Sequence, residues 1–168
     1  MIVLGVDTAI RKTGYGVLDL QPGGSLKILD CGVIRNGAKL PHTECLRRLA
    51  GGVRELVNAC HPDAASLESP FVGDNPRTAI ILGMARGAIL TALAEAGIPA
   101  YAYMPTVAKR AAVGVSLARK EQVAMMMAAE FGIAVENIPN DATDALALAM
   151  CHAQRAVQKQ IDLIGKPL

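Results

Sequence analysis

The sequence predicts an α/β protein with a mixed five-stranded sheet, and three features carry this prediction. Strand-like segments at residues 2–8, 13–20 and 26–34 are joined by turns too short for a crossover helix, which favours antiparallel pairing. Two further strands follow helical patterns, and a helical crossover usually returns the chain parallel to the first sheet. The 168 residues, 52% of them hydrophobic, suffice for one core. We therefore expect a single domain over residues 1–158 and a flexible tail over residues 159–168.

The later elements are indicated by their periodicity. A helix over residues 42–60 places apolar residues on one side, namely Leu46, Leu49, Val53 and Leu56. The remaining predicted elements, in order, are a strand at 63–68, a helix at 76–96, a strand at 98–104, and helices at 105–112, 119–131 and 141–158.

The helix predicted from residue 76 has a clear start and an unusual composition. Asp74 or Asn75 can cap it, and Pro76 suits its first turn. Gly83 and Gly87 lie four residues apart on it. This spacing indicates close helix packing, either within the core or between subunits.

Composition excludes several classes of protein. With 19% charged residues, the chain is not expected to be disordered except at its ends. The apolar runs are interrupted and no charged leader opens the chain, so we expect neither a membrane span nor a secretory signal. The four cysteines, Cys31, Cys45, Cys60 and Cys151, lack CxxC spacing. They are typical of reduced, buried thiols, which favours a cytoplasmic location.

The net charge is only +2, but basic residues are concentrated in one segment. Residues 109–120 contain Lys109, Arg110, Arg119 and Lys120 without an acidic residue. This segment can bind phosphates, although charge alone is equally consistent with an ordinary solvated surface.

Four carboxylates stand at the ends of predicted elements. Asp7 closes the first strand and Glu68 the fourth; if these strands are neighbours, both side chains lie at one edge of the sheet. Asp141 and Asp144 open a helix that is apolar on every side and is therefore expected to be buried. We predict that all four converge. Each also has a simpler interpretation, as a turn residue, a solvated strand end, or a helix cap.

Crowded carboxylates repel one another in a partly dry site, so their convergence requires a cation. An all-oxygen set suits Mg²⁺ or Mn²⁺. Such clusters hold two ions roughly 4 Å apart, which together activate a water and stabilise the leaving oxygen of a phosphodiester.

Several motifs occur together and in order, namely "GVDTAIRKTGYGVLD", "LESPF", "LGMARGAIL", "PTVAKRAAVG…ARKEQV" and "NDATDALALA". They resemble the RuvC family of Holliday junction resolvases over roughly residues 1–155. The resemblance implies an RNase H-like fold and a nuclease that cuts two strands of like polarity at four-way DNA junctions. It also implies a homodimer that leaves 5′-phosphate and 3′-hydroxyl ends and works with branch-migration motor proteins.

The resemblance assigns roles by position. Asp7, Glu68, Asp141 and Asp144 match the acidic residues of the family's catalytic site, where they would hold metal ions. Lys109 and Lys120 match basic residues that assist binding or catalysis at the junction, and Arg119 belongs to the same predicted DNA-binding segment. Phe71 matches an aromatic residue near the junction centre, where an exposed ring can stack on an unpaired base. Burial as an ordinary core phenylalanine is the alternative.

The sequence departs from the family pattern at three places. Ala9 replaces a glycine in "DTA", Pro70 stands before Phe71 in "ESPF", and the loop after Gly114 reads "VSLA". None of these departures removes a predicted metal ligand. The last favours an altered preference for DNA bases.

Three other classes of protein share some of these features. Sugar kinases and related ATPases also open with an aspartate on the first strand, but need a second half and an adenosine-binding segment. A small RNase H-like nuclease acting on RNA or simple duplex would carry the same four acids. A protein that binds branched DNA without cutting it would be marked by loss of an acid, and all four are present.

Overall fold

The computed structural model describes residues 1–70, 75–115, 117, 119–134, 136, 138–157 and 167–168. The strands are β1 (Ile2–Asp7), β2 (Lys12–Leu20), β3 (Leu26–Arg35), β4 (Ala64–Glu68) and β5 (Ala100–Tyr103). The helices are α1 (His42–Cys60), α2 (Pro76–Glu95), α3 (Pro105–Val113), α4 (Lys120–Phe131) and α5 (Asn140–Val157). Every predicted element is present, with ends that differ by at most a few residues.

The strands form one sheet in the order β3-β2-β1-β4-β5. The first three strands pair antiparallel, and Asp7 lies opposite Gly14 in the ladder between β1 and β2. Strand β4 pairs parallel with β1, placing Leu67 beside Val6. The predicted mixed sheet is therefore confirmed. The ends of β1 and β4 meet at one edge, as the acidic pattern required.

Helices cover both faces of the sheet because successive strand residues point to opposite sides. Val3 packs with Leu146 and Met150 of α5 on one face, where α4 also contributes. Leu4 packs on the other face, with Val53 of α1 and residues of α2. The continuous apolar character of β1 is thus explained by burial on both faces.

Helix α5 lies directly on the sheet because β1 and β2 present glycines to it. A Cβ atom added at Gly14 would be 1.6 Å from the carbonyl oxygen of Asp141, and one at Gly5 would be 1.9 Å from that of Ala145. Any larger residue would push the helix away. Residues 145–153 are all buried, which confirms the prediction that this helix is internal.

Two expectations need correction. Helix α5 begins at Asn140, so Asp141 lies in its first turn and Asp144 lies just beyond it, whereas both were predicted in the first turn. Among the cysteines, which are all free, Cys45 and Cys151 are buried but Cys31 and Cys60 are only half-buried. The tail predicted over residues 159–168 lies mostly outside the described residues and stays a prediction. The backbone N–H of Leu168 donates to the carbonyl of Ala100.

Helix α2 also differs from expectation. By length and hydropathy alone it could cross a membrane, although no such segment was predicted, and only 22% of the apolar window is buried. One such helix is weak evidence for a membrane span, since helices of soluble proteins pass the same test. Asn75 caps this helix as predicted, its side chain accepting from the backbone N–H groups of Arg77 and Thr78.

Candidate active site

Asp7 and Glu68 are the last residues of two adjacent parallel strands. Each follows the final paired residues, Val6 and Leu67, by one position. Neighbouring strands lie about 4.8 Å apart, so the two residues stand side by side at the sheet edge. Both are partly exposed, which leaves their carboxylates accessible from solvent.

A cavity of about 240 Å³ opens above this edge. Its lining includes Asp7, Glu68 and Asp144, together with Lys109 from α3 and apolar residues of α3 and α5. Three of the four predicted acids therefore share one cavity. Asp141 does not line it: its carbonyl lies over Gly14, one helical turn before Asp144.

The present side-chain positions do not form a finished ligand set for a metal ion. Within the described residues, no group of three or more His, Cys, Asp or Glu side chains is close enough to hold an ion. Asp7, Glu68 and Asp144 each interact with other groups of the protein. The donor chemistry is all oxygen and suits a hard divalent cation, but ligation requires the carboxylates to draw closer together. Metal binding stays a prediction.

A second, smaller cavity of about 140 Å³ lies on the other side of Asp7 and Glu68, against α2. Arg86 of α2 lines it and donates from Nη1 to the backbone carbonyl of Glu68. Burial lowers the pKa of Arg86, and the nearby charge of Glu68 acts in the opposite direction. Arg86 thus anchors the end of β4 and places a cation beside the acidic pair.

The predicted DNA-binding residues are only partly described. Lys109 is half-buried and lines the acidic cavity. Arg119 is exposed at the start of α4, where its backbone N–H donates to Oε1 of Gln122. Lys120 begins α4, but its side chain and the whole of Phe71 lie outside the described residues. Their predicted contacts with DNA stay predictions.

The replacement of glycine by Ala9 places no strain on the backbone. His61 is the non-glycine residue with positive φ within the described part of the chain, so Ala9 adopts an ordinary conformation. The turn after Asp7 is held by Thr13, which is fully buried. Its hydroxyl donates to the carbonyl of Ala9 and accepts from the N–H of the same residue.

Two residues that support the site were not identified from the sequence. Gly14 admits the first turn of α5, and the pattern "TGYG" carries a weak signal for it, because glycine within a strand often marks a close backbone approach. The sequence carries a stronger signal that Arg86 has a structural partner. A single cation in the apolar run "AIILGMARGAILTALA" is costly to bury unless it has a partner.

Known proteins resemble this chain over nearly its whole length. The family model described as crossover junction endodeoxyribonuclease RuvC matches residues 3–152. The protein of that description from Chloroflexus aggregans is 42% identical over 156 residues, covering 93% of this chain and 94% of the relative. The one from Chlorobaculum parvum is 44% identical over 155 residues, covering 92% and 82%.

A solved structure has the same fold as this chain. The structure of Thermus thermophilus RuvC in complex with a Holliday junction substrate superposes with a TM-score of 0.89 at 33% identity, covering 100% of this chain and 99% of that one. The expected RNase H-like architecture is confirmed by this match.

Proposed function

The chain belongs to the RuvC family of crossover junction endodeoxyribonucleases, and from this premise we propose that it resolves four-way DNA junctions. It would act as a structure-selective endonuclease in homologous recombination and repair, cutting two strands by metal-dependent hydrolysis. The observation that carries the proposal is the cavity at the sheet edge, where three carboxylates and Lys109 come together from four separate elements.

Asp7, Glu68 and Asp144 would hold the divalent ions, with Asp141 contributing from the preceding turn of α5. We expect two Mg²⁺ ions per site, with Mn²⁺ as a substitute. Bound ions of this kind supply water activation and stabilise the charge that develops on the leaving oxygen. Hydrolysis without a covalent enzyme intermediate would leave 5′-phosphate and 3′-hydroxyl ends.

The protein's own cations would bring the substrate to this acidic site. Lys109 faces the cavity and can attract a phosphate that the carboxylates alone would repel. Arg86 sits behind Glu68 and reduces repulsion between Glu68 and Asp7 before any ion binds. The predicted contacts of Phe71, Arg119 and Lys120 with the junction belong to the same proposal.

We expect a homodimer formed through α2. Ile80 and Met84 are exposed apolar residues on this helix, Ile80 with 65% of its surface accessible. Gly83 and Gly87 leave open space beside them, which would let a second helix approach closely. A two-fold dimer fits a substrate with two-fold symmetry. Cytoplasmic location and cooperation with branch-migration motors complete the proposal.

The direct experiment incubates the purified protein and Mg²⁺ with a labelled four-way junction, a plain duplex and an RNA–DNA hybrid. We expect paired nicks confined to the junction. Preferential cutting of the hybrid or the duplex would instead indicate a general RNase H-like nuclease. Binding without cutting in either Mg²⁺ or Mn²⁺ would indicate a protein that only recognises branched DNA.

Asp7→Asn is the matched variant for this experiment, because it keeps the size of the side chain and removes its charge. Cutting should fall to background while junction binding persists. Cutting by this variant at the wild-type rate would contradict the assignment of Asp7.

A further inference from the structure

A second group of basic residues lies at the active-site end of the sheet, on the side away from α3. Lys12 begins β2, Arg35 ends β3, and Lys39 follows in the loop to α1. All three are exposed. We call Lys12, Arg35 and Lys39 the basic platform. None of them belongs to the predicted segment over residues 109–120.

Strand register places the platform next to the acidic site. Gly14 lies opposite Asp7, and Lys12 lies two residues before Gly14 on β2. Arg35 is the partner of Lys12 on β3. With about 3.4 Å per residue and 4.8 Å between strands, the Cα atoms of Lys12 and Arg35 are roughly 8 and 12 Å from that of Asp7.

Lys12 and its partner Arg35 lie on the face of the sheet that α5 covers. Side chains two residues apart on a strand point to the same side. The face of Gly14 is the one on which the first turn of α5 rests, since the carbonyl of Asp141 lies there. Lys12 therefore extends the surface that carries Asp141 and Asp144.

Polar side chains fix the backbone next to the platform residues. Asn36, only 7% exposed, donates from Nδ2 to the carbonyls of Ile10 and Cys45 and accepts from Nε of Arg48. Arg11 donates from Nη1 to the carbonyls of Gly37 and Leu40. The turn after β1 and the loop after β3 are thus tied together.

The described residues form no ion pairs that neutralise the charges of the platform. In the part of the chain described by the structure, no ion pair involves Lys12, Arg35 or Lys39. Glu44 of α1 is bound by Arg47, and Asp30 of β3 lies 3.3 Å from the hydroxyl of Tyr15. Three exposed cations beside a nuclease site are suited to an anionic ligand with repeated charges.

We propose that the basic platform binds phosphates of the DNA strand on the β3 side of the cut, opposite the contacts made by Lys109. The inference rests on the proposed function, because it takes the ligand to be DNA. A duplex arm crossing the sheet edge would then meet cations on both sides of the acidic cavity. The platform would fix the register of the arm without reading its sequence.

The test measures junction binding by fluorescence anisotropy at several salt concentrations in Ca²⁺, with wild-type cutting followed separately in Mg²⁺. Arg35→Ala should lower the slope of log affinity against log salt by about one, and Lys12→Ala/Arg35→Ala by about two. Lys27→Ala is the control. Lys27 is also exposed and lies on β3, but pairs with Asp19 near the opposite end of the sheet.

Equal salt slopes for the Arg35→Ala and Lys27→Ala proteins would overturn the proposal that the platform binds DNA phosphates. If the wild type neither prefers nor cuts the junction, the proposed function fails instead. In that case the salt slopes of the Arg35→Ala and Lys27→Ala proteins are compared on plain duplex DNA. A lower slope for Arg35→Ala alone would still support phosphate binding by the platform. Thermal unfolding of each variant checks that these surface changes leave the fold intact.

Discussion

The hydroxyl of Tyr103 lies 2.7 Å from Nδ1 of His152, joining the end of β5 to α5 inside the protein. Both residues are buried. The ring of Tyr101 packs 4.6 Å from that of His152, and the guanidinium of Arg155 lies 5.1 Å from the ring centre of Tyr103. Helix α3, which carries Lys109, begins two residues after Tyr103. This contact therefore links the helix of Lys109 to the helix that carries Asp144.

Tyr103→Phe tests the strength of this link. The change leaves the buried Nδ1 of His152 without its partner and should lower the free energy of unfolding by about 1–3 kcal/mol. Urea unfolding at pH 7 measures it. Tyr15→Phe is the control, because the Tyr15 hydroxyl is 3.3 Å from Asp30 in an exposed contact, and its loss should cost less than about 1 kcal/mol. Equal losses in the two variants would contradict a special role for the buried pair.

The pH dependence of stability tests the environment of His152. Burial, and secondarily the charge of Arg155, lowers the pKa of His152 to about 4. The unfolded chain, with a histidine pKa near 6.5, therefore binds more protons between these values. The free energy of unfolding should fall as pH drops from about 6.5 to about 4, by roughly 3 kcal/mol from this group.

His152→Asn isolates that contribution from the titration of carboxylates. Urea unfolding at several pH values between 7 and 4 should give a steeper loss of stability for the wild type than for the variant. Parallel curves would mean that His152 is not held neutral by the fold.

Gly14→Ala tests the close packing of α5 against the sheet. The added Cβ would lie 1.6 Å from the carbonyl of Asp141, so the first turn of α5 must shift. We expect a loss of roughly 1–3 kcal/mol in unfolding free energy from the overpacking, together with reduced junction cutting. Gly51→Ala is the control, since that position in α1 has open space around it. It should leave stability unchanged or raise it by up to about 1 kcal/mol. A Gly14→Ala protein as stable and active as the control would exclude this close contact.

Arg86→Ala tests whether the arginine supports Glu68. Losing the anchor of β4 and the adjacent positive charge should slow junction cutting at least tenfold, or about 1.4 kcal/mol in the activation barrier. Arg86→Lys should recover part of the rate by restoring the charge. Arg77→Ala changes an exposed arginine on the same helix and should cut within a few-fold of wild type. An unaltered cutting rate for the Arg86→Ala protein would show that Arg86 does not support Glu68 in the active site.

Local patterns predicted the elements, and topology rules predicted that Asp7 and Glu68 share a sheet edge. Short apolar segments, tight turns and helical periodicity are features of nearby sequence. The position of α5 against β1 and β2 could not be derived from such local patterns. Its position depends on Gly5 and Gly14, which lie more than 120 residues earlier in the chain.

The same limit applies to the surroundings of the acids. The sequence could not separate Asp144, which lines the cavity, from Asp141, which does not. The two aspartates lie about one helical turn apart, so which of them reaches the cavity depends on how far α5 extends past the sheet edge. The hydrogen bond of Arg86 and the meeting of Lys12 with Arg35 likewise arise from tertiary structure and strand register.

Anomalous diffraction from crystals soaked in Mn²⁺ tests most directly whether the acids at the sheet edge hold divalent ions. We expect Mn²⁺ peaks bounded by the carboxylates of Asp7, Glu68 and Asp144, with these peaks lost in the Asp7→Asn protein. Absence of Mn²⁺ from the cavity in the wild type, at concentrations that support cutting, would contradict metal-dependent hydrolysis at this site.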